Sequence, residues 1–451
     1  MDTLEPQFDY APAPTQGGPS ILRARYGMLA GGAWSEAAGG VFATVDPATE
    51  KPLAEVARAS SDDVERAVRA ARRGYEKYWR KLRPSERAKH LFRLSRAVSE
   101  RARELALVQT LDAGTPIRRS REHDVPSAIA TLFTYAGWAD KLAWAVRAGE
   151  RTRPLGVVAS FGSGSSPALE AACALGPALA AGNAAIFVPS EHAPLAALVL
   201  AQAGLEADLP PGVLSIVTGD ARTRNAFVDN ADVDAIATGG AREACAAIAR
   251  ALAGTQRRAV LRPELPGIVI VCDDAPLDAA VEGIVRSALL ERGPYAPDAL
   301  RVLVQESILS ETIALLHERL RTLRIGDPLD ENSDGGPALT DARREDLETF
   351  VTAALEAGAT VARGVGPLPE RGFWHVPAVP LFGFRTIAEA LEKAHAFGRI
   401  GGAGIWTSSG QGAVYLAERL AAETVWCNGY ARFDPTTYAG GAAALRAYLH
   451  T

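Results

Sequence analysis

Few residues in this chain have the type and spacing that chemistry requires. Cys173, Cys245, Cys272 and Cys427 lie far apart, with no CxxC pair and no metal-ligand spacing. That argues against a zinc site or a disulfide framework and for a reducing compartment. Cys272 ends a very apolar run and is expected to be a buried, inert thiol, because a reactive thiolate needs an accessible, electropositive setting. Cys173 and Cys245 fall on helical patterns as small core residues. None of the seven histidines stands in triad or metal spacing. Two clusters could bind ions. Gly162–Ser166 is a Gly-Ser loop between a strand run and a helix run, an arrangement whose N–H groups can cradle phosphate. Asp327, Asp330, Glu331 and Asp334 gather enough carboxylates to suggest calcium.

The elements that carry these residues follow from hydrophobic periodicity. Ser60 opens a helix with Asp62 and Asp63 in its first turn, and Val64, Ala67, Val68, Ala71 and Tyr75 form its buried face. A second helix starts at Pro84. From Gly156 strands alternate with helices: strands over Val157–Phe161, Ala184–Val188, Leu214–Val217, Asp234–Thr238 and Ile268–Cys272, helices over Pro167–Ala181, Pro194–Ala203 and Arg242–Leu252. A further series follows from Leu277, with a strand over Leu300–Val304 and helices over Glu311–Leu323, Leu347–Ala357 and Ala388–Ala396. This pattern predicts α/β architecture: two doubly wound lobes built on parallel sheets. Residues 1–20 read as a loose arm without a signal peptide. The net charge of −5 offers no footprint for nucleic acid or an anionic membrane, and the cytoplasm is the expected compartment.

The order and spacing of several strings resemble the aldehyde dehydrogenase superfamily. They are Asp46-Pro47-Ala48-Thr49, Pro177–Asn183 (PALAAGN), Leu209–Gly212 (LPPG), Ile325–Leu329 (IGDPL) and Thr424–Asn428 (TVWCN). The segment Leu289–Ser307 is similar to the family's nucleophile pattern G-Q-x-C-x-A-x-S-R-V, with Gly293, Arg301 and Val302 in register. The resemblance implies the family's fold: a Rossmann-like cofactor domain over 1–136 and 156–259, a catalytic-type domain over 260–427, and a reduced oligomerisation element over 137–155 and 428–451. It also makes the acidic cluster an ordinary surface loop, so no metal is expected.

The chemical positions implied by the resemblance are altered. The catalytic cysteine falls on Ala296, and no cysteine lies within twenty residues of it. The oxyanion asparagine becomes Ser165, which makes Gly162–Ser166 a decayed catalytic loop rather than a phosphate site. The general-base glutamate falls on Arg262, or on Glu264 if two residues are deleted. The cofactor lysine becomes Val188, leaving Glu191 as a ribose contact without its partner, while Gly239-Gly240 could still present N–H groups to a pyrophosphate. The segment holding the nicotinamide ribose is missing between Val379 and Phe384. The hairpin after Trp138 is shortened, and the C-terminal pairing strand is expected to be absent.

The resulting expectation is a pseudoenzyme, similar to the inactive second domain of family 16 aldehyde dehydrogenases. No bound cofactor is expected, NAD(P) at most weakly. The expected partner is an active aldehyde dehydrogenase paralogue in a hetero-oligomer, or a second copy of the chain. The alternatives are an aldehyde oxidoreductase with a non-standard site and a nucleotide or aldehyde sensor.

Overall fold

The computed structural model describes residues 12–145, 152–290, 298–364, 368–430, 433–436 and 441–450. The chain divides into two compact units, one comprising Gln16–Pro263 with Phe433–Thr451 and the other Met1–Thr15 with Glu264–Arg432.

The larger unit is built on a seven-stranded sheet. Val157–Phe161, Ala184–Val188 and Leu214–Ile216 follow one another in parallel, and the chain then returns to lay Ala235–Gly240 and Arg258–Pro263 on the opposite side of Val157–Phe161. The winding direction thus reverses between Val157–Phe161 and Ala235–Gly240. Every residue of Val157–Phe161 and Ala184–Val188 is buried, as expected where helices cover both faces of a parallel sheet. Val64, Ala67, Val68 and Ala71 of helix Ser61–Lys77 join Val157, Ala159, Ile186 and Val188 in one core. That helix begins with a capping box in which Ser60 and Asp63 satisfy each other's backbone N–H groups. Gly74 faces the LPPG turn so closely that a Cβ there would lie 2.7 Å from the Pro211 carbonyl oxygen. Only glycine fits.

Near the C-terminus Leu449–His450 pairs antiparallel with Arg153–Pro154 of the same chain. Asn183, in the PALAAGN string, holds it: its side chain donates to the Tyr448 and Ala178 carbonyls and accepts from the Gly156 N–H.

The smaller unit holds a six-stranded sheet in the order Thr360–Arg363, Ala378–Phe384, Asp298–Gln305, Pro266–Val271, Ile400–Trp406, Ala422–Cys427. Five strands are parallel, and Thr360–Arg363 runs antiparallel at the edge. Among the described residues between it and Ala378–Phe384 there is no crossover helix, and an antiparallel neighbour needs none. The fully buried Ile400–Trp406 was missed by periodicity because its run of glycines carries no alternation. Ala378–Phe384 runs unbroken across the place from which the family segment is missing. The expected loose arm is pinned at residues 13–15: the Thr15 N–H donates to Leu329 O at 2.9 Å, and the Glu331 N–H donates to Ala13 O at 3.1 Å.

Among the described residues no helix is long and apolar enough to cross a membrane.

Candidate functional site

In the larger unit the carboxyl ends of the strands around the winding reversal collect the residues singled out in the sequence. Ligands of open α/β sheets bind at such a switch point. The loop 162–166 leaves Val157–Phe161, and Gly239-Gly240 ends the neighbouring strand. The two abut: a Cβ on Gly240 would lie 3.5 Å from that of Ser163. Arg262 is on the adjoining strand, in register with Gly239, and Glu264 lies just beyond that strand's end.

Ser165 is not free to serve an oxyanion. The Glu170 carboxylate, on helix Pro167–Ala180, turns back under the loop and accepts from six donors. The Ser163 and Gly164 N–H groups lie 2.8 and 2.9 Å from Oε2. The Ser165 N–H and hydroxyl lie 3.0 and 2.8 Å from Oε1, with the Ser163 hydroxyl at 2.6 Å and the Ser166 N–H at 3.3 Å. Gly164, at φ +92°, lets the loop curl around the carboxylate. The same carboxylate satisfies the start of its own helix, where the dipole favours negative charge. The nest that the sequence offers to an external anion is filled from within. Glu170 was overlooked in the sequence; its signal was a lone carboxylate in an apolar helix, four residues past a Gly-Ser loop.

Behind this loop lies a buried polar network. Asp124 accepts from the Ser166 hydroxyl at 3.2 Å and the Gln109 amide at 2.9 Å, and pairs with Arg119 at 3.3 Å. The loop conformation is therefore braced from both sides.

Farther along the same edge Glu191 follows strand Ala184–Val188. The lysine expected beside it in the family is absent, as read from the sequence, and a different cation takes its side. Arg224, on helix Ala221–Asp229, lies 3.0 Å from Glu191 Oε2. The sequence concealed the pair because its members belong to successive βα units. Val188, at the lysine position, is fully buried in the core.

These residues fit a dinucleotide. Gly239 is exposed, Gly240 adopts φ +109°, and the helix Arg242–Leu252 that follows has no side-chain cap. Its first N–H groups are thus open to a diphosphate. Glu191 offers a carboxylate for a ribose hydroxyl.

In the smaller unit Ala296 lies outside the described residues. Cys272, at the end of Pro266–Val271, is buried, and its thiol is pushed up to about 11 by burial, with Asp274 and Asp273 adding to the effect. It is inert at neutral pH. None of the four cysteines forms a disulfide. The acidic cluster is structural: Asp327 accepts from the Leu329 N–H, Asp330 from the Asn332 and Ala13 N–H groups, Glu331 from the Thr15 hydroxyl and Asp334 from the Arg324 N–H. Among the described residues no three His, Cys, Asp or Glu side chains are grouped to hold a metal.

The profile of the aldehyde dehydrogenase family matches residues 34–380. The NADP/NAD-dependent aldehyde dehydrogenase PuuC of Escherichia coli is 33% identical over 434 residues, covering 89% of this chain and 87% of the relative. The NAD+ complex of aldehyde dehydrogenase from Bacillus cereus has the same fold, with TM-score 0.89 and 25% identity, covering 96% of each chain. PnpE in complex with nicotinamide adenine dinucleotide gives TM-score 0.87 and 28% identity over 94% of this chain and 96% of that one. These dinucleotide-using relatives overturn the expectation that no cofactor, or at most weakly held NAD(P), belongs here. That expectation counted the lost lysine at Val188 and discounted the glycine turn and Glu191. A match spanning most of the chain, and the fold that accompanies it, establish that this protein belongs to the aldehyde dehydrogenase family.

Proposed function

We propose that this chain is a non-catalytic aldehyde dehydrogenase subunit that holds NAD(P) and assembles with an active member of the family. The observation that carries the reading is the Glu170 carboxylate seated in the loop 162–166. Acyl-transfer chemistry needs donors aimed at an oxyanion that develops during reaction. Here the loop's N–H and hydroxyl groups already face the Glu170 carboxylate 2.6–3.3 Å away. The sequence supports the same reading, because Ala296 stands in the nucleophile's register and alanine cannot form the covalent adduct.

Glu191, Gly239 and Gly240 are the residues that would hold the cofactor, whose chemistry when bound is hydride acceptance. In a subunit without a nucleophile, that site would instead stabilise the fold by mass action.

The assembly half of the proposal rests on two surfaces. Helix Arg242–Leu252 exposes Ala244, Ala247 and Ala251, small side chains at helical spacing that allow another helix to approach closely. The strand Leu449–His450 is paired with Arg153–Pro154 of its own chain, so that edge is engaged within the subunit. Four cysteines without disulfides suit the reducing cytoplasm, the proposed compartment.

Co-expression with an active paralogue, followed by size-exclusion chromatography with mass measurement, tests the proposal. A mixed oligomer in which only the paralogue turns over supports it. Separate elution of the two chains at micromolar concentration rules out the stable complex, with a homodimer through Arg242–Leu252 as the competing outcome. Robust aldehyde-dependent NADH formation by the isolated chain would refute the non-catalytic reading.

A further inference from the structure

We infer that the outer face of the helix pair Pro84–Glu100 and Val125–Trp138 is a docking surface for an acidic, amphipathic helix of a partner protein. The inference is independent of the NAD(P) reading.

Val125–Trp138 contains no charged residue, although one side of it faces solvent. Pro126, Ala130 and Phe133 are exposed along that side at the spacing of one helical face, and Gly137 continues it. A helix face that meets only water ordinarily carries charged or polar groups. Phe133 is 60% exposed and Phe92, on the neighbouring helix, 38%. Their rings pack edge to face with centroids 5.1 Å apart. Single exposed hydrophobics are common. Two aromatic rings in contact beside an uncharged helix face form a contiguous apolar patch, and such patches mark interaction sites.

Gly137 is a second sign. A Cβ there would meet nothing within 4 Å, so packing inside this subunit does not require the glycine, and glycine weakens a helix interior. The notch it leaves one turn from Phe133 lets another helix approach closely.

The charges around the patch identify its occupant. Lys89, Arg93 and Arg96 are exposed on Pro84–Glu100, on either side of Phe92. Arg96 is paired with Glu100 at 2.9 Å and Arg93 with Asp208 at 3.7 Å, but both pairs are open to solvent and hold their members weakly. Their guanidinium groups can turn to the carboxylates of a docked segment. The Ser95 hydroxyl donates to the Ile129 carbonyl at 3.1 Å, one turn from the contact between Phe92 and Phe133, so the two helices run antiparallel. The cations thus form a row along the apolar stripe. A helix laid on that stripe would set apolar residues at i, i+3, i+4 and i+7 on the two rings, and acidic residues against the row. A second copy of this chain fits less well. A two-fold contact would set the surface against itself, with no row of carboxylates to meet the cations. The net charge of −5 on the whole chain disfavours an anionic bilayer.

Fluorescence anisotropy with labelled synthetic peptides tests this on the full chain. The probe is a helical peptide with leucine at i, i+3, i+4 and i+7 and glutamate on both flanks, and its control carries lysine in place of glutamate. We expect the glutamate peptide to bind at micromolar concentration and the lysine peptide at least about tenfold more weakly. Phe133→Ser should weaken the glutamate peptide roughly 10- to 100-fold, the loss expected for a central aromatic anchor. Lys89→Glu, Arg93→Glu and Arg96→Glu combined should invert the preference between the peptides. Thermal melts verify that the variants, all changed at exposed positions, keep their fold. Equal binding of the two peptides by the unmodified protein would overturn the inference, as would an affinity untouched by Phe133→Ser or no binding below about 1 mM. Sedimentation with phosphatidylglycerol vesicles that Phe133→Ser abolishes would overturn it in favour of a membrane. A homodimer that Phe133→Ser dissociates in size-exclusion chromatography would overturn it in favour of a second copy.

Discussion

The Ser165 hydroxyl donates to the Glu170 carboxylate across 2.8 Å, inside a loop whose backbone N–H groups point at the same two oxygens. The residue in the register of the family's oxyanion asparagine is part of an internal anion site. Removing the carboxylate leaves four backbone N–H groups and two hydroxyls without their acceptor. Glu170→Ala should therefore destabilise the protein by about 3 kcal/mol. Glu170→Gln should also destabilise it, because an amide nitrogen would face donors. Urea denaturation of the three proteins measures this, and a Glu170→Ala loss of less than about 0.5 kcal/mol would show that solvent satisfies the loop equally well.

Restoring the missing thiol should not restore activity. Removing the nucleophile of a covalent mechanism typically costs on the order of 10⁶ in rate. Ala296→Cys returns that group alone and leaves Ser165 committed to Glu170. Steady-state assays with NAD, NADP and a panel of aldehydes should find no turnover. A measurable kcat in the single variant would mean that the loop opens to admit substrate.

Stability should fall as pH rises through a window set by Asp112. Its carboxyl is fully buried, and burial pushes it from 3.8 up to about 7, against hydrogen bonds from Thr44 and the Leu195 N–H that lower it. The folded state therefore holds this proton more tightly than the unfolded chain. The associated stability is complete below pH 3.8 and is lost as pH rises through about 7. Asp112→Asn cannot ionise, so it should gain on the unmodified protein between pH 5 and pH 8. Urea midpoints at both values test this. A difference between the two proteins that does not change with pH would contradict the assignment.

The cysteines should react unequally. Cys427 is exposed at the end of Ala422–Cys427, whereas Cys272 is buried with its thiol pushed up to about 11. Brief iodoacetamide treatment of the folded protein at pH 8 should label Cys427 and spare Cys272, with both labelled in denaturant. Peptide mass spectrometry reads the outcome, and rapid native labelling of Cys272 would show that its strand end opens.

Asn183 should prove to be a structural clamp. Its side chain joins Gly156, Ala178 and Tyr448 in a buried setting. Asn183→Ala should cost about 3 kcal/mol and release the C-terminal strand, since buried polar groups would lose their partners. Hydrogen exchange at Leu449 and His450 would report the release, and continued protection there would count against the clamp.

Local signals made much of the fold legible. Val157–Phe161, Ala184–Val188 and Arg242–Leu252 appear in the structure with the bounds their periodicity indicates, and Ser60 caps its helix as expected. Such features depend on residues a few positions apart. The lack of cysteine around Ala296 is likewise a fact of the sequence alone. The tertiary structure decided which polar groups are engaged. Glu170 reaches Ser165 only because Gly164 turns the loop back over the helix start. Arg224 meets Glu191 only because successive strands bring two distant loops to one edge. The pairing of Leu449–His450 with Arg153–Pro154 and the pinning of residues 13–15 join segments about three hundred residues apart through backbone hydrogen bonds. Backbone groups are the same at every residue, so side-chain pattern could not announce those contacts.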